Sequence, residues 1–134
     1  MADISKLSYV IDSSFILSVL LPDEEHVESE EYFQKYILGE IQLFSTTLML
    51  YEVTNALHVS IMRKRVTIQK ARSLLRELLN LDIPLENVDM ENVLTLSQKH
   101  GLSAYDASYL SLAKAKDSIF LTLDKKLIEF SNKS

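Results

Sequence analysis

The chain has 134 residues, 47% of them hydrophobic, and 14 basic against 19 acidic side chains give a formal charge of −5. That length suits one domain with one core, residues 1–134. With no cysteine in the chain, a disulfide framework and thiolate catalysis are excluded, and the acidic balance argues against a simple basic clamp on nucleic acid.

Tyr9–Ile11 is a first strand, and Ser14–Leu21 a short helix that ends before Pro22. Asp23–Leu38 reads as an acidic amphipathic helix with Gly39 as the residue just past its end. Ile41–Phe44 is a second strand, after which Thr46 or Thr47 caps a long helix to about Arg65. Thr67–Asn80 is helical, with Ala71, Leu74, Leu75, Leu78 and Leu79 at helical spacing. Ile83–Val88 is a third strand, and Asp89 caps a helix that stops at Gly101. Ser103 opens the next helix, to about Lys116. Ile119–Leu123 is a fourth strand, and Asp124 precedes a last short helix. Strands alternating with helices predict parallel pairing and a layered α/β fold. No apolar run approaches the ~20 residues that span a bilayer, and the first residues lack the pattern of a secretion signal. The expectation is a cytoplasmic protein that does not engage membranes.

Four acids sit where their surroundings are apolar. Asp12 follows the first strand and Asp124 the fourth, so parallel strands would aim both at the same sheet edge, where ligands of such sheets bind. On a helical wheel Glu52 shares its side with Leu48, Ala56 and Val59, with Asn55 beside it, and Asp106 shares its side with Tyr109, Leu110 and Ala113. An ionised carboxylate among apolar neighbours is costly unless paired or bound to a metal. Each acid also has a plain structural reading. Asp12 and Asp124 precede helices and can cap them, Ser103 and Asp106 have the spacing of a capping box, and Glu52 near a helix start suits the dipole. Convergence of all four would call for a hard divalent cation such as Mg²⁺ or Mn²⁺, which prefers oxygen ligands. Two such ions would bring the formal −5 to about −1. His26, His58 and His100 show no zinc-ligand spacing, and His100 fits the last turn of a helix.

The segments YVIDSSF (Tyr9–Phe15), LYEVTNAL (Leu50–Leu57), GLSAYDASYLSLA (Gly101–Ala113) and LTLD (Leu121–Asp124) together make the chain resemble the PIN-domain ribonucleases, most closely the VapC-type toxins of toxin–antitoxin pairs. The first and last segments are weak alone; E-x-x-N-x-L followed by L-S-x-Y-D-A is far more specific. The resemblance covers nearly the whole chain. It implies a three-layer α/β fold, a central parallel sheet of four strands flanked by helices, or five if the ten residues after Asp124 supply the edge strand that many relatives carry. It implies that Asp12, Glu52, Asp106 and Asp124 bind one or two Mg²⁺ or Mn²⁺ ions, with Ser14, Asn55, Ser103 and Thr122 supporting them.

The implied activity is metal-dependent hydrolysis of RNA phosphodiester bonds, in which bound metal lowers the pKa of a water and stabilises phosphate charge. The implied partners are RNA, a cognate antitoxin and a second copy of the chain. Arg63, Lys64 and Arg65 are the candidate RNA track, although cations also suit a helix C-terminus on their own account. Met49, Tyr51 and Met62 form a stripe that fits a core better than a partner surface. A phosphotransferase of the haloacid-dehalogenase kind would need a second Asp where Ser14 stands, and a receiver domain an acidic pair near the first strand's end. The remaining alternative is a PIN-like scaffold that binds RNA or protein without cleaving it.

Overall fold

A computed structural model describes residues 6–21 and 27–131. In chain order the elements are β1 (Leu7–Ile11), α1 (Ser13–Leu20), α2 (Val27–Ile37), β2 (Ile41–Thr46), α3 (Leu48–Met62), α4 (Ile68–Asn80), β3 (Leu85–Glu86), α5 (Met90–His100), α6 (Ala104–Ala115) and β4 (Ile119–Leu121), with a 3-10 turn over Ile128–Phe130. Tyr9, Val10 and Ile11 are buried in succession, without the alternation of a strand that faces water on one side. Such a run belongs in a parallel sheet covered on both faces. β1 lies inside the sheet, whose order is β3-β2-β1-β4 with every pairing parallel.

From β1 the chain steps outward to β2 and β3, then returns to the far side of β1 as β4. The right-handed rule for such crossovers, applied to this strand order, assigns α1 to α4 to one face and α5 and α6 to the other. In keeping with this, α2 packs on β2, while α6 lies against β1, β2 and β4 and carries α5 on its back. The main core joins Val10, Ile11, Leu43 and Phe120 of the sheet to Phe15, Ile16, Val53, Leu57 and Leu74 of the helices. A smaller cluster of Val93, Leu96, Ala107 and Leu110 seals α5 to α6. The strand order reverses between β1 and β4, where an open parallel sheet leaves a crevice beyond its carboxyl ends.

The layered parallel fold is as expected from the sequence, and several element ends differ for local reasons. The third strand is Leu85–Glu86 rather than Ile83–Val88. Pro84 has no N–H to give a ladder, although its carbonyl still accepts from Ser45 N at 3.0 Å. The fourth strand stops at Leu121, because the hydroxyl of Thr122 accepts from Asp124 N at 3.1 Å and turns the chain out of the sheet. The long helix ends at Met62 instead of Arg65, since Lys64 takes a left-handed φ of 59° and Arg65 N returns to Ser60 O. Gly39 does close α2, with φ 77° and Glu40 N bonded back to Lys35 O. Residues 23–26, expected as the start of that helix, lie outside the described residues together with His26. Among the described residues the sheet has four strands, and no helix is long and apolar enough to cross a membrane.

Candidate active site

Asp12 is the first residue beyond β1 and is only 3% exposed. Its Oδ1 accepts from Phe15 N at 3.1 Å, so the acid does cap α1, and from Ser14 Oγ at 2.6 Å. Its Oδ2 accepts a short hydrogen bond from Thr122 Oγ1. Each hydroxyl spends its single proton on Asp12 and accepts in turn from the chain after β4: Ser14 Oγ from Leu123 N at 2.9 Å, Thr122 Oγ1 from Asp124 N at 3.1 Å. Asp12, Ser14 and Thr122 therefore bind the end of β1 to the end of β4 across the crevice. An ionised carboxylate has about four acceptor sites, so these three donors leave Oδ2 with capacity for a further ligand.

Burial raises the Asp12 carboxyl from its ordinary 3.8 to about 6, against the opposing pull of the hydrogen bonds from Ser14, Thr122 and Phe15 N. The negative charge of Asp124 pushes it up as well, so these two acids feel each other. Among the described residues no cation pairs with this buried carboxylate.

Glu52 sits in the second turn of α3, half-buried beside the core stripe of Met49, Val53 and Leu57 rather than within it. Its Oε1 accepts from Ser13 Oγ at 3.1 Å and from the Tyr109 hydroxyl at 2.5 Å. Tyr109 is 1% exposed, and its burial, followed by the bond to Glu52, drives its pKa well above the usual phenol value. The hydroxyl thus stays protonated and acts as a fixed donor. Oε2 of Glu52 carries no hydrogen bond among the described residues. Ser13 and Tyr109 were not picked out by sequence as site residues, though Tyr109 lies one helical turn from Asp106 and Ser13 stands next to Asp12.

Asp106 lies in the first turn of α6, where Ser103 Oγ accepts its backbone N–H at 3.1 Å. This is half of a capping box. The Asp106 carboxylate, 16% exposed, turns instead to Lys126 Nζ at 3.3 Å. Lys126 Nζ also stands 3.9 Å from Asp124 Oδ2, while Lys126 N donates to Asp124 Oδ1 at 3.0 Å. The bond to Asp106 holds the lysine pKa above its ordinary 10.5, so a full positive charge stands between the third and fourth acids. Lys126 is a further residue the sequence reading passed over; its signal was a D-x-K spacing after the last acid.

The acids are thus joined in one chain: Asp12 to Asp124 through Thr122, Glu52 to the Asp12 turn through Ser13 and to α6 through Tyr109, Asp106 to Asp124 through Lys126. Among the described residues no three histidine or acidic groups stand close enough to clasp a metal ion as they are. The donor set nonetheless fits a hard cation: it is all carboxylate oxygen, with one acid buried and undercompensated, and an ammonium already lies between two others. Among the described residues histidine contributes nothing here, since His58 is exposed and the His100 ring packs edge-on against Phe130 at 4.8 Å. Asn55 is exposed and makes no hydrogen bond among the described residues, so it is not joined to the acids. Arg63, Lys64 and Arg65 are exposed at the far end of α3, about 16 Å along the axis from Glu52 at 1.5 Å per residue. Of the residues read as an apolar stripe, Met49 is core, while Tyr51 and Met62 are 78% and 67% exposed.

A parallel sheet with acids at its switch point, two from strand ends and two from helix starts, is the arrangement of a PIN domain. The family model for the PIN domain matches residues 9–133, and the chain belongs to that family. Two proteins of Pyrobaculum aerophilum are similar in sequence. Ribonuclease VapC3 is 30% identical over 127 residues, covering 92% of this chain and 94% of the relative. Exonuclease VapC9 is 26% identical over 122 residues, covering 91% and 84%. The crystal structure of PAE2754 from the same organism shares the fold with a TM-score of 0.77 at 23% identity, covering 97% of this chain and 90% of that one.

Proposed function

We propose that the protein is a metal-dependent ribonuclease, one nuclease domain over residues 1–134, acting in the cytoplasm as the toxin of a VapBC-type pair. The observation that carries the reading is Asp12, buried at the strand-order reversal, held by three donors and undercompensated in charge, with Glu52, Asp106 and Asp124 tied to the same crevice. The named activities of VapC3 and VapC9 support it. Asp12, Glu52, Asp106 and Asp124 would hold one or two Mg²⁺ or Mn²⁺ ions, which when bound supply an acidified water and charge neutralisation at the phosphate. Ser14 and Thr122 orient Asp12, Ser13 and Tyr109 orient Glu52, and Ser103 fixes the start of the helix that carries Asp106. The substrate strand would leave the crevice toward Arg63, Lys64 and Arg65, whose charges suit phosphates.

For partners, the reading includes a cognate antitoxin and a homodimer. The second copy is supported by an apolar depression of about 310 Å³ lined by Tyr51 and Tyr105, the neighbours of Glu52 and Asp106, together with Met90. These three side chains are 78%, 63% and 68% exposed, and apolar groups clustered in this way mark protein contacts. Sedimentation should give a dimer that Tyr51→Lys splits; a monomeric wild type would remove the homodimer.

The activity is tested by incubating mixed RNA with wild type and Asp12→Asn, each with Mn²⁺ and with chelator. Cleavage by wild type with Mn²⁺ alone is expected. Equal cleavage by the variant would reject the assignment, and absence of cleavage in every arm would favour the non-cleaving scaffold.

A further inference from the structure

Lys126 is anchored at its root and loose at its tip. Leu127, its neighbour, is 1% exposed, and Leu127 N and Ile128 N bond Asp124 O at 2.9 and 3.1 Å, so the backbone of the turn is fixed. The side chain is 70% exposed and reaches back over Asp124 to place Nζ 3.3 Å from Asp106 Oδ2 and 3.9 Å from Asp124 Oδ2. These acids come from different places in the fold, the start of α6 and the turn that follows β4, and no other cation joins them among the described residues. A single ammonium in solvent at such distances is weakly held and easily exchanged. A divalent ion drawn to the same oxygens would meet it as a like charge.

We propose that Lys126 is a built-in counter-ion that holds Asp106 and Asp124 together when no metal is bound, and that a divalent cation must displace it to bind. This rests on the metal-dependent reading of the site above. Lys126 is then a positioning residue that sets the metal concentration at which the site fills. Neutralising it has opposite effects on the two states: the metal-free pocket becomes more repulsive, and the metal competes with one charge fewer.

Thermal melting in Mn²⁺ titrations without RNA tests this on wild type, Lys126→Gln, Lys126→Met and Lys126→Arg. Because the side chain is mostly in solvent, all four should fold. Gln and Met should lower the Mn²⁺ midpoint about threefold to tenfold, as expected for one like charge displaced to about 7–10 Å from a divalent ion in water, and Arg should restore the wild-type midpoint. The difference should shrink in about 0.5 M salt. Equal midpoints in all four proteins, or a higher midpoint in Gln and Met, would overturn the counter-ion role while leaving the metal site standing. No response to Mn²⁺ in any of them would remove the metal-dependent reading and this inference with it.

Discussion

Substituting Asp12 by Asn should stabilise the metal-free protein, and more so as pH rises. The Asp12 carboxyl has a folded pKa of about 6 against an ordinary 3.8, a gap worth about 3 kcal/mol. The raised value means that the folded state holds the proton more tightly than the unfolded chain. Its contribution is fully present below pH 3.8 and is lost as pH rises through about 6. Between pH 5 and pH 8 the two pKa values give a loss of about 1.4 kcal/mol from this group. Asn cannot ionise and keeps an oxygen for Phe15 N and Ser14, while its amide must meet the Thr122 hydroxyl, which adds a constant offset but no pH dependence. Urea unfolding of both proteins with chelator across that range measures the difference directly. The stability of the variant relative to wild type should climb by about 1.4 kcal/mol. A difference that stays flat would refute the claim that Asp12 is an undercompensated buried acid. Millimolar Mn²⁺ should reverse the order by stabilising wild type alone.

Tyr109→Phe removes the hydroxyl that fixes Glu52 while keeping the buried ring. It should slow RNA cleavage about tenfold, the scale of one lost hydrogen bond to a charged group, and raise the Mn²⁺ midpoint; unchanged kinetics would show that Glu52 needs no such support. Replacing Arg63, Lys64 and Arg65 together by Ala should raise KM for RNA with kcat unchanged and lower the salt slope of binding by about 2. An unaltered slope would take the RNA track off the end of α3.

Legibility in the sequence followed what each residue type announces. Asp12 and Asp124 could be placed because a carboxylate closing an apolar strand is conspicuous, and parallel strands aim both at one edge. Asp12 also caps α1, so its structural and functional readings hold together rather than compete. The Asp124 carboxylate, by contrast, accepts among the described residues only from Lys126 N in a turn and caps no helix, the 3-10 turn that follows starting at Ile128 behind Leu127. Tyr109 was hidden because a wheel counts it as apolar, and its role lies in one buried oxygen. Lys126 was hidden beside Lys125 as an ordinary solvated pair, since its meaning depends on Asp106, 20 residues away, being folded next to it. Asn55 matched a motif position yet faces solvent, because spacing alone does not say which side of a helix meets the crevice. The third strand was read too long because its apolar run contains Pro84, which cannot donate to a ladder.

Mn²⁺ binding followed by electron paramagnetic resonance, on wild type and on the single variants Asp12→Asn, Glu52→Gln, Asp106→Asn and Asp124→Asn, is the most direct measurement of whether the four acids act as one cation site. Wild type should bind one or two ions, and each substitution should weaken that binding at least tenfold, the loss of about 1.4 kcal/mol per ligand. Wild-type affinity retained in the Asp12 and Asp124 variants would place any bound ion elsewhere and contradict the account.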